Sequence, residues 1–126
     1  VRFSPNGVRL AVVSMPEPPP GSGSFGTAEM LARLMGQKLW VQTVGEAAKQ
    51  LTGDPAYRDE HPVWSRDGRN ILFTRIDAAG KASIWRIPAT GGTPELVQDD
   101  LGLGSRGVTG IYGWIEWTDL LDWWQP

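Results

Sequence analysis

The 126-residue sequence contains no cysteine and a single histidine, His61. It therefore has no disulfide framework and no thiolate zinc site, and a histidine cluster cannot be assembled from it. An excess of one charge is also missing: 12 basic against 14 acidic residues leave a net charge of -2. So even a balance excludes the basic field of a nucleic-acid module and the self-repulsion of an acidic tail. No apolar run approaches the ~18–20 residues that a membrane helix needs. What is abundant is turn and aromatic chemistry, with 16 glycines, 10 prolines and seven tryptophans. Gly and Pro punctuate a chain into short elements, and with so many tryptophans the composition leans to an all-β domain.

A repeat organises the chain. Phe3-Ser4-Pro5-Asn6-Gly7 and its apolar run to Val13 align with Trp64-Ser65-Arg66-Asp67-Gly68 and the run to Thr74. Leu39-Trp40-Val41 matches Ile84-Trp85-Arg86, and Leu51-Thr52 matches Leu96-Val97. The first match is offset by 61 residues and the later two by 45, so 61 − 45 = 16 extra residues sit in the first copy, within Met15–Gly36. A period near 45 built on an aromatic-Ser-x-Asp/Asn-Gly turn is the mark of a propeller blade. In the second copy it predicts strands at 61–65, 70–76, 83–87 and 94–98. Tight turns fall at Asp67-Gly68 and Gly91-Gly92, where glycine supplies the positive φ of short hairpins. Leu10–Val13 and Ile71–Phe73 run apolar without alternation, as strands buried on both faces do.

These residues resemble a known family. His61-Pro62-Val63-Trp64-Ser65-Arg66-Asp67-Gly68, an apolar strand, Ile84-Trp85 and Gly91-Gly92 are similar to the TolB-type β-propeller repeat, whose usual signature is Pro-x-Trp-Ser-Pro-Asp-Gly. Arg66 stands where proline is typical, and Asn6 replaces the aspartate in the first copy; Asn serves the same turn geometry. The resemblance covers 1–14 and 38–98. It implies an all-β partial propeller of four-stranded antiparallel blades. Residues 1–98 would form two blades, with a Pro/Gly-rich insertion at 15–37 carrying a short helix. Residues 99–126 would be a degenerate third blade or a Gly/Trp-rich tail. Two blades do not close a ring of ~4–8, and the sequence opens inside the motif. The chain is therefore expected to be the C-terminal piece of a longer propeller, with homo-oligomerisation expected only if it is complete as given. The resemblance further implies a bacterial, periplasmic or envelope-associated setting and another protein as partner. Neither nucleic acid, membrane insertion nor a cofactor is expected.

Several motifs imitate chemistry. Gly21-Ser22-Gly23-Ser24-Phe25-Gly26 is a literal G-x-G-x-x-G, followed by a helical stretch at Ala28–Met35 with Thr27 as N-cap and Gly36 as stop, then a strand at Leu39–Val44 with Glu46 beyond. A dinucleotide site needs a strand running straight into the first glycine, but Met15–Pro20 intervenes and the 45-residue repeat already explains the second strand. The segment reads as an inserted loop, with dinucleotide binding as a second alternative. His61, beside Pro62, reads as a polar residue opening a strand, and Asp67 as a turn residue. Asp59-Glu60 and Asp99-Asp100 read as adjacent carboxylates in turns, too narrow a set for calcium. Glu116, Asp119 and Asp122 read as a solvated face.

Trp40, Trp64 and Trp85 are taken as equivalent repeat positions that pack between blades. The candidate protein interface comprises Trp114, Trp117, Trp123 and Trp124, together with the apolar stripe Leu31, Leu34 and Met35 of the small helix. Ser4, Asn6, Gly7, Trp40, Pro62, Trp64, Ser65, Asp67, Gly68, Trp85, Gly91 and Gly92 carry the structural signature. The reading that follows is a non-enzymatic propeller acting as a protein-interaction platform. Its rival is the gating propeller of a prolyl-oligopeptidase-type serine peptidase, whose G-x-S-x-G elbow is absent from these residues.

Overall fold

Two turns of one chemistry open the two halves of the chain. The Ser4 hydroxyl donates to Asn6 Oδ1 at 2.7 Å and accepts from the Arg9 amide at 3.0 Å, while Asn6 Oδ1 accepts from the Val8 amide at 3.2 Å. Ser65 and Asp67 repeat the arrangement, with the hydroxyl 2.6 Å from Asp67 Oδ1, and the Asn70 and Arg69 amides each bonding at 3.0 Å. Side-chain oxygens thus satisfy the amides that the reversal leaves without strand partners. Gly7 and Gly68 complete the turns at φ 74° and 70°, a region costly to any residue with a Cβ.

The computed structural model describes residues 2–17 and 27–101. They form two four-stranded antiparallel sheets in sequence order. The first contains β1 (Arg2–Phe3), β2 (Arg9–Ser14), β3 (Lys38–Thr43) and β4 (Lys49–Gln50), with a helix, α1 (Thr27–Met35), between β2 and β3. The second contains β5 (Tyr57–Trp64), β6 (Asn70–Asp77), β7 (Ala82–Pro88) and β8 (Glu95–Gln98). Where the first strand leaves the turn and across the two middle strands their registers coincide: Phe3 opposes Leu10 as Trp64 opposes Ile71, and Val12 opposes Trp40 as Phe73 opposes Trp85. Where β6 meets β7 through a short turn capped by Asp77, β2 meets β3 through the insertion. Asp77 Oδ1 accepts from the amides of Ala79 and Lys81, both at 2.9 Å.

Three strand expectations need correction. The first strand of the second sheet starts at Tyr57, not near 61. Tyr57-Arg58-Asp59-Glu60 has the polarity of a loop, but its charges are paired, Arg75 Nε to Asp59 Oδ1 at 3.0 Å and Arg58 Nε to Glu60 Oε1 at 3.4 Å. Asp59 and Glu60 therefore lie within a strand rather than a turn. His61 is mid-strand rather than at the strand's opening. Glu60 opposes Thr74 whereas Val63 opposes Leu72, so His61 and Pro62 together face Phe73 in a β-bulge, with His61 at φ 48°. Pro62, which has no N–H to donate, sits where the ladder is interrupted. The extra residue changes the strand's parity, placing Tyr57 and Asp59 on the same face as Trp64.

That face packs on the first sheet. Trp64, Ile71, Phe73, Ile87 and Ala89 form one buried cluster with Ala11, Leu39 and Val41, and Val13, Leu51 and Trp85 pack at its margin. Trp64 Nε1 donates to the Arg2 carbonyl at 2.9 Å, and Arg9 reaches back with Nη2 2.6 Å from the Gly68 carbonyl, its guanidinium 4.9 Å from the Trp64 ring centre. The counterpart of Trp64 is thus Phe3, not Trp40. Trp40 occupies the third strand of the first sheet, on the face turned away from this cluster.

Candidate functional site

The densest group of polar chemistry lies where the insertion rejoins the first sheet and β5 crosses it. Lys38 is the first residue of β3 and is buried. Its ammonium donates to the carbonyls of Met35 at 3.1 Å, Asp54 at 2.6 Å and Tyr57. One cation therefore ties the end of α1, the link between the sheets and the start of β5. Met35 is in the last turn of α1, where carbonyls lack helical partners and favour a positive charge. Alongside, Gln37 and Asp59 exchange two bonds: the Asp59 amide donates to the Gln37 carbonyl at 3.0 Å, and Gln37 Nε2 donates to the Asp59 carbonyl at 2.7 Å. Thr52 accepts from the Leu39 amide at 2.9 Å through its buried hydroxyl.

Behind this junction, Arg75 is enclosed by aromatic rings. Its guanidinium carbon lies 4.8 Å from the Trp85 ring centre and 5.2 Å from those of Tyr57 and Phe73, with Asp59 as its ionic partner. Trp85 is fixed by its own Nε1, which donates to Ser83 Oγ at 2.9 Å. Burial pushes the Asp59 carboxyl above its ordinary range, while the Thr52 hydroxyl, Arg75 and Lys38 pull the other way. Burial likewise lowers the Lys38 ammonium, with Asp59 opposing that shift, Arg75 adding to it and Asp54 opposing it. These charges are spent on one another and on backbone carbonyls. Chemically the arrangement is a clamp that holds two sheets and an insertion together.

The residues singled out from sequence are distributed around this clamp. In α1, Leu34 and Met35 are half-buried, and the Leu31 side chain lies outside the described set. The helix is held by Arg33 Nη2, 3.3 Å from the Pro16 carbonyl. Met30 and Met15 are exposed beside it. Trp114, Trp117, Trp123 and Trp124 lie outside the described residues, as do the glycine-rich 21–26 segment and Glu116, Asp119 and Asp122. Gly91 and Gly92, at φ 99° and 140°, turn the chain toward β8. Asp67 accepts within its turn and its carboxyl is held below the ordinary range by the Ser65 hydroxyl and the Arg69 amide. Asp99 pairs with Lys81 at 3.0 Å on the surface. Among the described residues, no group of three His, Asp or Glu side chains is placed to hold a metal ion.

Sequence reasoning missed Lys38, Asp59 and Arg75. Lys38 and Arg75 are not shared by the two copies, because Ser14 stands at the Arg75 position in the first copy and Ser83 at the Lys38 position in the second. The available signal was register: once β5 is extended to Tyr57, Asp59 falls opposite Arg75.

No family model matches the chain. The sequence is similar to Tol-Pal system protein TolB 1 of Novosphingobium aromaticivorans, with 46% identity over 37 residues. That stretch is 29% of this chain and 8% of the relative, so the match spans a small part of either protein. Among the described residues, no helix is long and apolar enough to cross a membrane.

Proposed function

We propose that these residues are two blades of a β-propeller whose work is to bind another protein, in the cell envelope of a bacterium. The observation that carries this reading is the duplication itself. Two meanders with the same strand order, the same Ser-x-Asp/Asn-Gly turn and the same register between their middle strands are stacked face to face. Repeated, such stacking builds a rigid disc on which loops are displayed for recognition. The short likeness to a Tol-Pal system protein supports an envelope setting and a protein partner. A non-enzymatic role is supported by the use of Lys38, Asp59 and Arg75 as structural ties. The insertion at 15–37, with exposed Met15 and Met30, is the segment we assign to partner recognition.

The test uses the protein in its source cells. In-cell crosslinking from position 30, with a photoreactive residue replacing Met30, should yield one discrete protein adduct in the envelope fraction. The same preparation should not hydrolyse small peptide esters. Ester hydrolysis, or an absence of adducts from Met30 and from a second site at Met15, contradicts the proposal.

A further inference from the structure

The sequence holds two asparagines, Asn6 and Asn70, and the structure places them in opposite circumstances. Asn70 opens β6, where its carbonyl accepts from the Ser65 amide at 2.9 Å and the next residue is the fully buried Ile71. Asn6 is exposed and is followed by Gly7, also exposed, with no side chain to hinder a close approach to its nitrogen. Asn6 Oδ1 accepts from the Val8 amide at 3.2 Å. That bond turns the side chain back along its own backbone and so folds Cγ toward the intervening Gly7 nitrogen. The Ser4 hydroxyl donates to the same Oδ1 at 2.7 Å. Two donors therefore converge on the atom that takes up negative charge when a nucleophile adds to Cγ.

We propose that Asn6 is a site of spontaneous deamidation, promoted by the Ser4 hydroxyl, and that the first turn accepts the aspartate so formed. The Gly7 nitrogen gives its proton to solvent base and bonds to Asn6 Cγ. The Cγ–Nδ2 bond then breaks, and Nδ2 leaves as ammonia after taking up a proton from water. A cyclic imide remains. Water, the sole co-reactant, opens it at Cγ to give aspartate or at the backbone carbonyl to give isoaspartate. The step that restrains the reaction is release of the Gly7 amide, which donates to the Ser4 carbonyl at 2.8 Å. The first turn can release it, because the space beside Gly7 is open. The second turn is pinned, with Arg9 Nη2 2.6 Å from the Gly68 carbonyl. Asp67 is also a poor electrophile, since the Ser65 hydroxyl and the Arg69 amide favour its ionised form. Yet Asp67 shows that an aspartate fits this turn, bonding the hydroxyl at 2.6 Å and the amide at 3.0 Å. Isoaspartate, by contrast, adds a methylene to the backbone between the bonded groups.

The test compares the folded 126-residue chain with a peptide of residues 2–10, both held in mildly alkaline buffer. Conversion of Asn6 is followed by peptide mass spectrometry, which also separates aspartate from isoaspartate by fragmentation. Asn6 should convert at least as fast in the folded chain as in the peptide, while Asn70 stays intact. Ser4→Ala should slow conversion in the folded chain by about tenfold, less than an enclosed oxyanion donor is worth because the turn stands in water. The same substitution should leave the peptide's rate unchanged. Ser4→Thr, which keeps the hydroxyl, should restore the folded rate, and it serves as the second variant where Ser4→Ala loosens the turn. Asn6→Asp should unfold at the same denaturant concentration as the parent. Slower conversion in the folded chain than in the peptide overturns the proposal, because the turn would then shield Asn6. An unchanged folded rate in Ser4→Ala removes Ser4 from the reaction, and a less stable Asn6→Asp overturns the acceptance of aspartate.

Discussion

The two sheets share strand order and turn chemistry, yet they are not equally finished. In the second, β6 is buried on both faces: Ile71 and Phe73 point to the first sheet, and Thr74 and Ile76 to the other side. In the first, β2 buries only Ala11 fully, while Leu10 and Val12 remain half-buried. The last strands differ too, with four residues in β8 against two in β4. One repeat pattern therefore yields a middle strand with buried residues on both faces in one copy and on a single face in the other. Burial, more than local sequence, sets how complete each sheet becomes.

The largest expected difference is between equivalent core positions. Phe73→Ala removes a 1% exposed ring and should cost about 3–5 kcal/mol in denaturant unfolding. Val12→Ala, at the matching place in the first sheet, should cost about 1 kcal/mol or less, since a half-buried side chain leaves little cavity. Similar losses at the two sites would erase the distinction. Asp59→Ala should come next, costing roughly 3 kcal/mol because it strands the buried Arg75 guanidinium. The first sheet, with Ser14 in place of Arg75, has no counterpart to lose.

Asp59 also predicts a pH signature. Its carboxyl is raised in the folded state, so the fold holds that proton more tightly than the unfolded chain. Its contribution is greatest below the unfolded value of 3.8 and is lost as pH climbs through the folded one. Asp59→Asn should flatten this part of a stability-versus-pH curve; an unchanged slope would remove Asp59 as its source.

The turns give finer comparisons. Gly7→Ala and Gly68→Ala both place a Cβ at positive φ, at about 1–2 kcal/mol each. Gly68 should be the more sensitive, because its new Cβ would meet Arg9 Nη2 at 3.4 Å while that of Gly7 would meet open space. The smallest effect is electrostatic. Asp67 is held below 3.8, so its support of the second turn persists above that value and fades as pH falls through its lower folded pKa. Asn6, uncharged, should show no such loss. Exchange of the Arg69 amide should therefore accelerate in acid relative to that of Val8, and Asp67→Asn should remove the difference.

Much of this organisation was legible in the sequence because turns obey local rules. Ser, Asn or Asp, and Gly at fixed spacing specify the same bonds wherever they occur, and a common offset exposes the 16-residue insertion. The less legible parts depend on partners remote in sequence. The start of β5 is hidden because Arg58 and Asp59 have the polarity of a loop until Glu60 and Arg75 are placed beside them. The bulge at His61-Pro62 adds one residue without altering the repeat. On the last strand, Trp40 opposes Gln50 but Trp85 opposes Leu96, a one-residue shift that the matched Leu51 and Leu96 do not reveal. Trp40 is the plainest case: its place in the repeat is evident, but whether its face is covered depends on what stands beside the sheet.

Amide hydrogen exchange on the 126-residue chain, read strand by strand, tests the contrast between the sheets most directly. The account predicts that Ile71–Ile76 of β6 are the slowest amides, opening only with global unfolding, and that Leu10–Val13 of β2 exchange at least about tenfold faster. Equal protection of β2 and β6 would contradict it, because the first sheet would then be as fully enclosed as the second.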